Sequence, residues 1–298
     1  MEGEQAVAGF GGFEAKALLV SMRPRQWIKN LLVLAVPLAS GTLLDPGVLG
    51  KTAVAFIAMC AAASGVYLIN DVLDREADRR HPVKSRRPIA SGRVGVTTAV
   101  ITAALLVVAA IVIAGAFGSL GLMWLIVGYL ALQGTYLGWA KHQPVLDLAC
   151  IAAGFVIRAV AGGVAVGIPT SIWFITVTAA TATFVVSGKR YSELVTQGLI
   201  GTRQGLKEYS EGYLRFVWGV SVGIAVVFYG LWAAELSTGA NGFWARVSVV
   251  PFVLILLRYA RDIDAGMAEA PEDMVFRDRV LQVLGVLWVT MFALQVYG

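Results

Sequence analysis

Apolar runs of about 17 to 25 residues recur along this chain, and each is long enough for a helix to cross a hydrocarbon core of roughly 30 Å. Nine of them lie near 27–44, 51–70, 96–117, 119–139, 145–167, 170–187, 213–235, 243–259 and 279–297, the eighth being the shortest. Of the 298 residues, 58% are hydrophobic and 14% charged, against about 45–50% and about 25% in soluble domains. A water-soluble domain is therefore excluded. A membrane β-barrel needs alternating segments of about ten residues, and no such alternation is present. The expected fold is all-α and integral to the membrane, with nine transmembrane helices in a single polytopic domain over 1–298.

The charges fix an orientation. If the nine runs alternate across the bilayer, 21 of the 24 Lys and Arg residues fall on one side, and the excess of basic residues marks the cytoplasm. This places the N-terminus and the segment 1–20 in the cytoplasm, the C-terminus outside, and the loops at about 71–95 and 188–212 on the cytoplasmic face of the plasma membrane. The net charge of +5 follows from that placement and implies no nucleic-acid partner. Cys60 and Cys150 both lie in apolar runs and offer no CxxC site. The first residues, Met1–Phe13, lack a basic segment followed by an apolar one, so no cleavable signal peptide is expected. Gly163 with Gly167, and Gly219 with Gly223, have the GxxxG spacing of close helix packing.

Chemistry concentrates where the second run meets the cytoplasm, in Asn70-Asp71-Val72-Leu73-Asp74-Arg75-Glu76-Ala77-Asp78. If helix continues through this stretch, Asp71, Asp74 and Asp78 share one face. Three carboxylates on one face repel one another unless a cation compensates them. Mg²⁺ takes one or two carboxylates and completes its octahedron with water and phosphate oxygens. The local alternative is a solvated helix end in which Asp71 pairs with Arg75. His81, Lys84, Arg86, Arg87 and Arg93 follow directly, and a metal beside dense cations is a means of holding polyphosphate.

A second basic group, Lys189, Arg190 and Glu193, follows the sixth run within a helical turn, with Arg203, Lys207 and Tyr209 beyond it. Lys189 and Glu193 form an i,i+4 pair that orients the group; for Arg203 and Lys207 ordinary positive-inside topology is an equal reading. Asp147 opens the fifth run and Arg158 lies inside it, about three turns on. An ionised group there must face protein or water, either in an interhelical salt bridge or beneath an anionic substrate. In Arg23-Pro24-Arg25-Gln26-Trp27-Ile28-Lys29-Asn30 the cations and Trp27 suit an interface anchor, or Lys29 meets a lipid phosphate. His81 and His142 stand alone and read as surface residues, and Ser187-Gly188-Lys189-Arg190 lacks the flanking residues of a phosphate-binding Walker loop.

Asn70-Asp71-x-x-Asp74-x-x-x-Asp78 at the cytoplasmic end of the second helix resembles the first acidic motif of the UbiA-type intramembrane prenyltransferases. The resemblance covers essentially the whole chain in helix number and loop placement. It implies a nine-helix bundle around a central cavity opening to the cytoplasm, with Mg²⁺ on Asp71 and Asp74, Asn70 and Asp78 supporting, and a lipid chain along a membrane-facing groove. Aromatic prenyltransferases of the family show a second aspartate-rich motif, whereas the connection Tyr136–Asp147 offers Lys141 and Asp147. With Lys189 and Arg190, this resembles the branch that moves a phosphoribosyl group. The implied reaction joins 5-phosphoribosyl 1-diphosphate to a polyprenyl (decaprenyl) phosphate, towards cell-wall arabinan. Lys29 is then implied at the lipid phosphate, Lys84, Arg86 and Arg87 over the diphosphate, Lys189, Arg190 and Glu193 at the ribose phosphate or diphosphate, and Lys141, Asp147 and Arg158 at the cavity wall and floor. Membrane lipid is a partner and a homo-oligomer is compatible with the sequence. Prenyl transfer to an aromatic acceptor is the alternative within the class, and a transporter the alternative outside it.

Overall fold

A computed structural model describes residues 15–197, 208–235, 240–268, 274 and 278–297. All regular structure among them is helical. Eight helices are long and apolar enough to cross a membrane, which makes the chain a multi-pass membrane protein. They are α1 (Pro46–Leu73), α2 (Val96–Ile113), α3 (Leu120–Gly138), α4 (Leu146–Val166), α5 (Ile172–Gln197), α6 (Glu211–Glu235), α7 (Ala240–Asp264) and α8 (Arg279–Tyr297). They coincide with the second to ninth apolar runs. The short eighth run is the middle of a 25-residue helix that tolerates Pro251 in its interior.

The first run behaves differently. Where 27–44 was expected to be one long α-helix, the chain forms a 3₁₀ helix, Pro24–Leu34, and then a short α-helix, Ala35–Ala39. Pro37 has no N–H for the carbonyl of Val33 four residues back, so the α ladder is interrupted there. That carbonyl faces the bare Cα of Gly162 in α4: a Cβ built on Gly162 would lie 1.8 Å from Val33 O and 3.1 Å from Pro37 Cδ.

The chain divides into two compact units, one of residues 1–37, 44–137 and 161–168, the other of 38–43, 138–160 and 169–298. In the first, α1 and α2 meet through small side chains. Ala58, Ala62 and Ala103 are fully or almost fully buried, and a Cβ on Gly65 would come within 3.1 Å of the Ala103 carbonyl. Lipid tails are as apolar as the helices, so close packing of small residues replaces the hydrophobic drive of an aqueous fold. The 3₁₀ segment lies along α1: Trp27 Nε1 donates to Ser64 Oγ (3.0 Å), and Asn30, itself buried, donates to Cys60 Sγ (3.2 Å).

The second unit has an aromatic core. The Tyr229 ring stacks on Phe252 at 4.1 Å, while its hydroxyl accepts from Trp288 Nε1 and bonds Ser248 Oγ, both at 2.8 Å. This joins α6, α7 and α8. Arg258 of α7 donates to Asp278 at 2.7 Å, and the same carboxylate caps the start of α8 by accepting from Val280 N. Gly167, Gly219 and Gly223 of the GxxxG spacings do not make the close contacts expected of them: Gly167 ends α4 with a φ of +77°, and a Cβ on any of the three would meet nothing within 4 Å. Exposed Leu105, Val108 and Val112 on α2 and Val283 and Val286 on α8 are suited to lipid.

Candidate active site

The acidic motif does not ride on one uninterrupted helix. α1 stops at Leu73, Asp74 takes φ −87° and ψ 2°, and a short helix, Arg75–Arg80, resumes. The i,i+4 spacing nevertheless survives the break, since Asp74 N donates to Asn70 O and Asp78 N to Asp74 O. Asp71 and Asp78 are therefore both buried, Asp74 and Asn70 half-buried.

A carboxylate at the C-terminal end of a helix faces the negative end of its dipole, which favours cations there. The chain supplies two. Arg87 Nη1 lies 2.7 Å from Asp78 Oδ2 and 3.2 Å from Asp71 Oδ1, so one guanidinium spans both carboxylates. Arg23 pairs with the same Asp71 oxygen at 2.5 Å and lies over the Tyr67 ring at 5.0 Å. The local alternative, Asp71 with Arg75, is not how the buried charge is met; its partners stand 48 and 16 positions away. Arg23 holds φ 55° and ψ 60° immediately before Pro24, an unfavourable backbone for a residue of its size. Its pairing with Asp71 is the contribution that sequence reading missed, because the cation favoured there was Lys29.

Around this core basic charge is in excess: residues 70–93 hold four acidic and seven basic side chains. Lys84 and Arg86 form a single 3₁₀ turn, Lys84–Arg86, anchored by His81 Nδ1, which accepts from the backbone N–H of Val83 (3.2 Å) and Lys84 (3.3 Å). Arg86 itself is exposed, and Lys29 is half-buried on its 3₁₀ helix. Loss of water and the neighbouring Lys84 hold the His81 pKa below its ordinary 6.5. The folded chain thus favours neutral imidazole, so the turn's stabilisation is complete above the ordinary value and is lost as pH falls below it. The protection of the Val83 and Lys84 amides, taken as their exchange rate against the intrinsic rate at each pH, is expected to fall from pH 7.5 to pH 5, and His81→Asn, which keeps an acceptor without a titrating group, is expected to flatten that dependence.

In the second unit Asp147 and Arg190 are both buried and lie 3.2 Å apart, joining α4 to α5. Arg190 also reaches Glu193 at 2.9 Å, and Lys189 stands 3.9 Å from Glu193. Tyr209 donates its hydroxyl to Asp147, a partner that the sequence reading gave no role. Burial first, and that hydrogen bond second, push the Tyr209 phenol far above its ordinary range, so it remains a donor. Arg158, buried in α4, donates to Gly154 O at 2.8 Å and lies 5.6 Å from the Phe155 ring centre. Lys141 is half-buried in a 3₁₀ turn, Ala140–His142, before α4. Arg203 and Lys207 lie outside the described residues.

Among the described residues no three Asp, Glu, His or Cys side chains converge on one metal position. The donor chemistry still fits Mg²⁺, which is served by one or two carboxylates when a phosphate supplies further oxygens. Asp71 and Asp78 already direct oxygens at a single cationic group.

A membrane-embedded, all-helical chain with a buried aspartate pair at the end of one helix, ringed by Arg and Lys, defines a class that handles phosphorylated substrates at a membrane surface. The chain belongs to the UbiA prenyltransferase family, whose model matches residues 31–278. Among curated relatives it is 44% identical to the decaprenyl-phosphate phosphoribosyltransferase of Mycolicibacterium smegmatis, covering 99% of this chain and 97% of that protein. It is 46% identical to the protein of that name from Mycobacterium tuberculosis over 90% of each. Of solved structures, a UbiA homologue from Archaeoglobus fulgidus bound to DMAPP and Mg²⁺ aligns with a TM-score of 0.72 at 18% identity, covering 93% of this chain and 97% of that one. A digeranylgeranylglyceryl phosphate synthase aligns at 0.66 and 15%, over 95% and 98%. These two share its fold.

Proposed function

We propose that the protein transfers the 5-phosphoribosyl group of 5-phosphoribosyl 1-diphosphate to a polyprenyl (decaprenyl) phosphate and releases diphosphate. The observation that carries this reading is likeness to the mycobacterial phosphoribosyltransferases at 44–46% identity over nine-tenths or more of both chains. An oxygen of the lipid phosphate forms the new bond to ribose C1. The bond from C1 to the diphosphate breaks, and its electron pair leaves on the diphosphate oxygen. The lipid phosphate is already anionic near neutral pH and needs little help from a base.

The burden on the protein is the charge that grows on the leaving group. Mg²⁺, when bound with the diphosphate, neutralises that charge as a Lewis acid. Asp71 and Asp78 are assigned its protein ligands, with Asp74 and Asn70 beside them. Arg87, Lys84 and Arg86 hold diphosphate oxygens with charge-assisted hydrogen bonds, and Lys29 takes the lipid phosphate. In the second unit Lys189 takes an anionic group of the donor, Glu193 orients Lys189 or a ribose hydroxyl, and Arg190, already committed to Asp147 and Glu193, supports them. Lys141 adds positive charge at the start of α4, and Arg158, buried in that helix, adds its charge from within the unit.

The nine-crossing topology belongs to the same proposal. The first apolar run, through the 3₁₀ segment Pro24–Leu34 and the helix Ala35–Ala39, is assigned the ninth crossing. The N-terminus then lies in the cytoplasm, the C-terminus outside, and the acidic motif on the cytoplasmic face of the plasma membrane. The test uses purified protein with labelled 5-phosphoribosyl 1-diphosphate, polyprenyl phosphate and Mg²⁺. Label is expected in the lipid phase and is expected to vanish on chelation. Turnover of a prenyl diphosphate with an aromatic acceptor instead would overturn the assignment.

A further inference from the structure

Among the described residues two non-glycine positions have positive φ, Arg23 and Val145. Each leads to a buried aspartate. Arg23 pairs with Asp71 directly, and Val145 stands two residues before Asp147. At Val145, φ is 69° and Leu146 N donates to Pro144 O at 2.8 Å, the i→i+2 bond of a γ-turn in its strained, positive-φ form. Valine is branched at Cβ and poorly suited to that region. Such a conformation persists only where its surroundings over-determine it, and it recurs at functional sites.

The surroundings are supplied by Tyr209. Its hydroxyl oxygen accepts from Val145 N at 2.6 Å, and its proton goes to Asp147. The ring is buried and stacks on Tyr213 at 5.8 Å. One hydroxyl therefore closes both the strained turn and the acidic end of the chain Asp147–Arg190–Glu193–Lys189. A phenol able both to donate and to accept is required for this, and phenylalanine can do neither.

We propose that Tyr209 is a positioning residue: its hydroxyl latches the Val145 turn to Asp147, and through the Asp147–Arg190 pair it fixes Glu193 and Lys189 for the anionic donor substrate. The proposal rests on the phosphoribosyl-transfer reading of the same residues. It assigns Tyr209 no contact with the reacting atoms, so its loss weakens donor recognition more than turnover.

The experiment uses the full chain in detergent or nanodiscs and three variants: Tyr209→Phe, Val145→Gly and the two combined. Tyr209→Phe is expected to raise KM for 5-phosphoribosyl 1-diphosphate about tenfold with kcat within about twofold and KM for polyprenyl phosphate unchanged, since slight misplacement of a binding group is costly. Glycine adopts positive φ without penalty, so Val145→Gly alone is expected to match wild type. In the Tyr209→Phe background it is expected to recover most of the donor KM, because the turn then no longer needs its latch. An unchanged donor KM in Tyr209→Phe, equal losses for both substrates, or no recovery in the double variant would each overturn the proposal. Melting without substrate separates the two readings. A wild-type chain that transfers no phosphoribosyl group overturns the function and with it the positioning role, whereas Tyr209→Phe melting with wild type overturns the latch itself.

Discussion

Asp71→Asn is expected to lower kcat for phosphoribosyl transfer by about 10²–10³-fold, the usual cost of removing one preorganised electrostatic group from the transition state. The substitution keeps the shape of the side chain and removes its charge. Asp71 is the buried point on which Arg23 and Arg87 both converge, so the variant loses the carboxylate proposed to hold a divalent ion and also leaves two guanidinium groups facing a neutral amide. The two effects are separable. Titrating Mg²⁺ against the rate is expected to show a weakened Mg²⁺ affinity, with excess Mg²⁺ recovering the rate only partly, while the melting temperature falls modestly because both arginines retain some exposure to water. Wild-type turnover in Asp71→Asn would remove Asp71 from the metal site and return the acidic motif to a structural helix end.

The second large effect is structural. Gly162→Ala is expected to cost about 3 kcal/mol or more, at the upper end of overpacking penalties, and to leave little folded protein extractable in detergent. The added methyl would lie 1.8 Å from the Val33 carbonyl oxygen, a backbone atom that no rotamer change can move aside. It also strikes the one carbonyl that Pro37 has deprived of a helical donor. The matched controls are Gly219→Ala and Gly223→Ala in α6, where a Cβ meets nothing within 4 Å; they are expected to be neutral or stabilising, by up to about 1 kcal/mol from helix propensity. Thermal melting of the purified variants checks all three. Similar melting for Gly162→Ala and wild type would mean that the 3₁₀ segment repacks away from α4.

What the sequence determined by itself was everything governed by length, period and local spacing. An apolar run of membrane-spanning length has to become a helix, because lipid offers no partner for backbone N–H and C=O groups, and eight runs did so, seven within about five residues of their expected ends and the sixth continuing ten residues further, to Gln197. The i,i+3 and i,i+7 spacing of Asp71, Asp74 and Asp78 was legible for the same reason, and it outlasted the break at Asp74. The Lys189–Glu193 and Arg190–Glu193 pairs lie one helical turn apart and were equally open to reading.

Only the tertiary structure decided which charges neutralise one another and which glycine carries the packing. Arg23, Arg87 and Tyr209 reach their aspartates from 48, 16 and 62 positions away, and no local periodicity encodes such a pairing. The GxxxG spacings pointed to Gly163, Gly167, Gly219 and Gly223, whereas a Cβ on Gly167, Gly219 or Gly223 would meet nothing within 4 Å and the tightest approach to backbone falls on Gly162, against the Val33 carbonyl to which Pro37 cannot donate. The 3₁₀ form of Pro24–Leu34 has the same origin: composition marks the run as apolar, but the placement of two prolines and the surface of α1 that receives Trp27 and Asn30 set its winding. Local sequence encodes hydrogen bonds four residues apart; a buried charge takes whichever partner the fold brings to it.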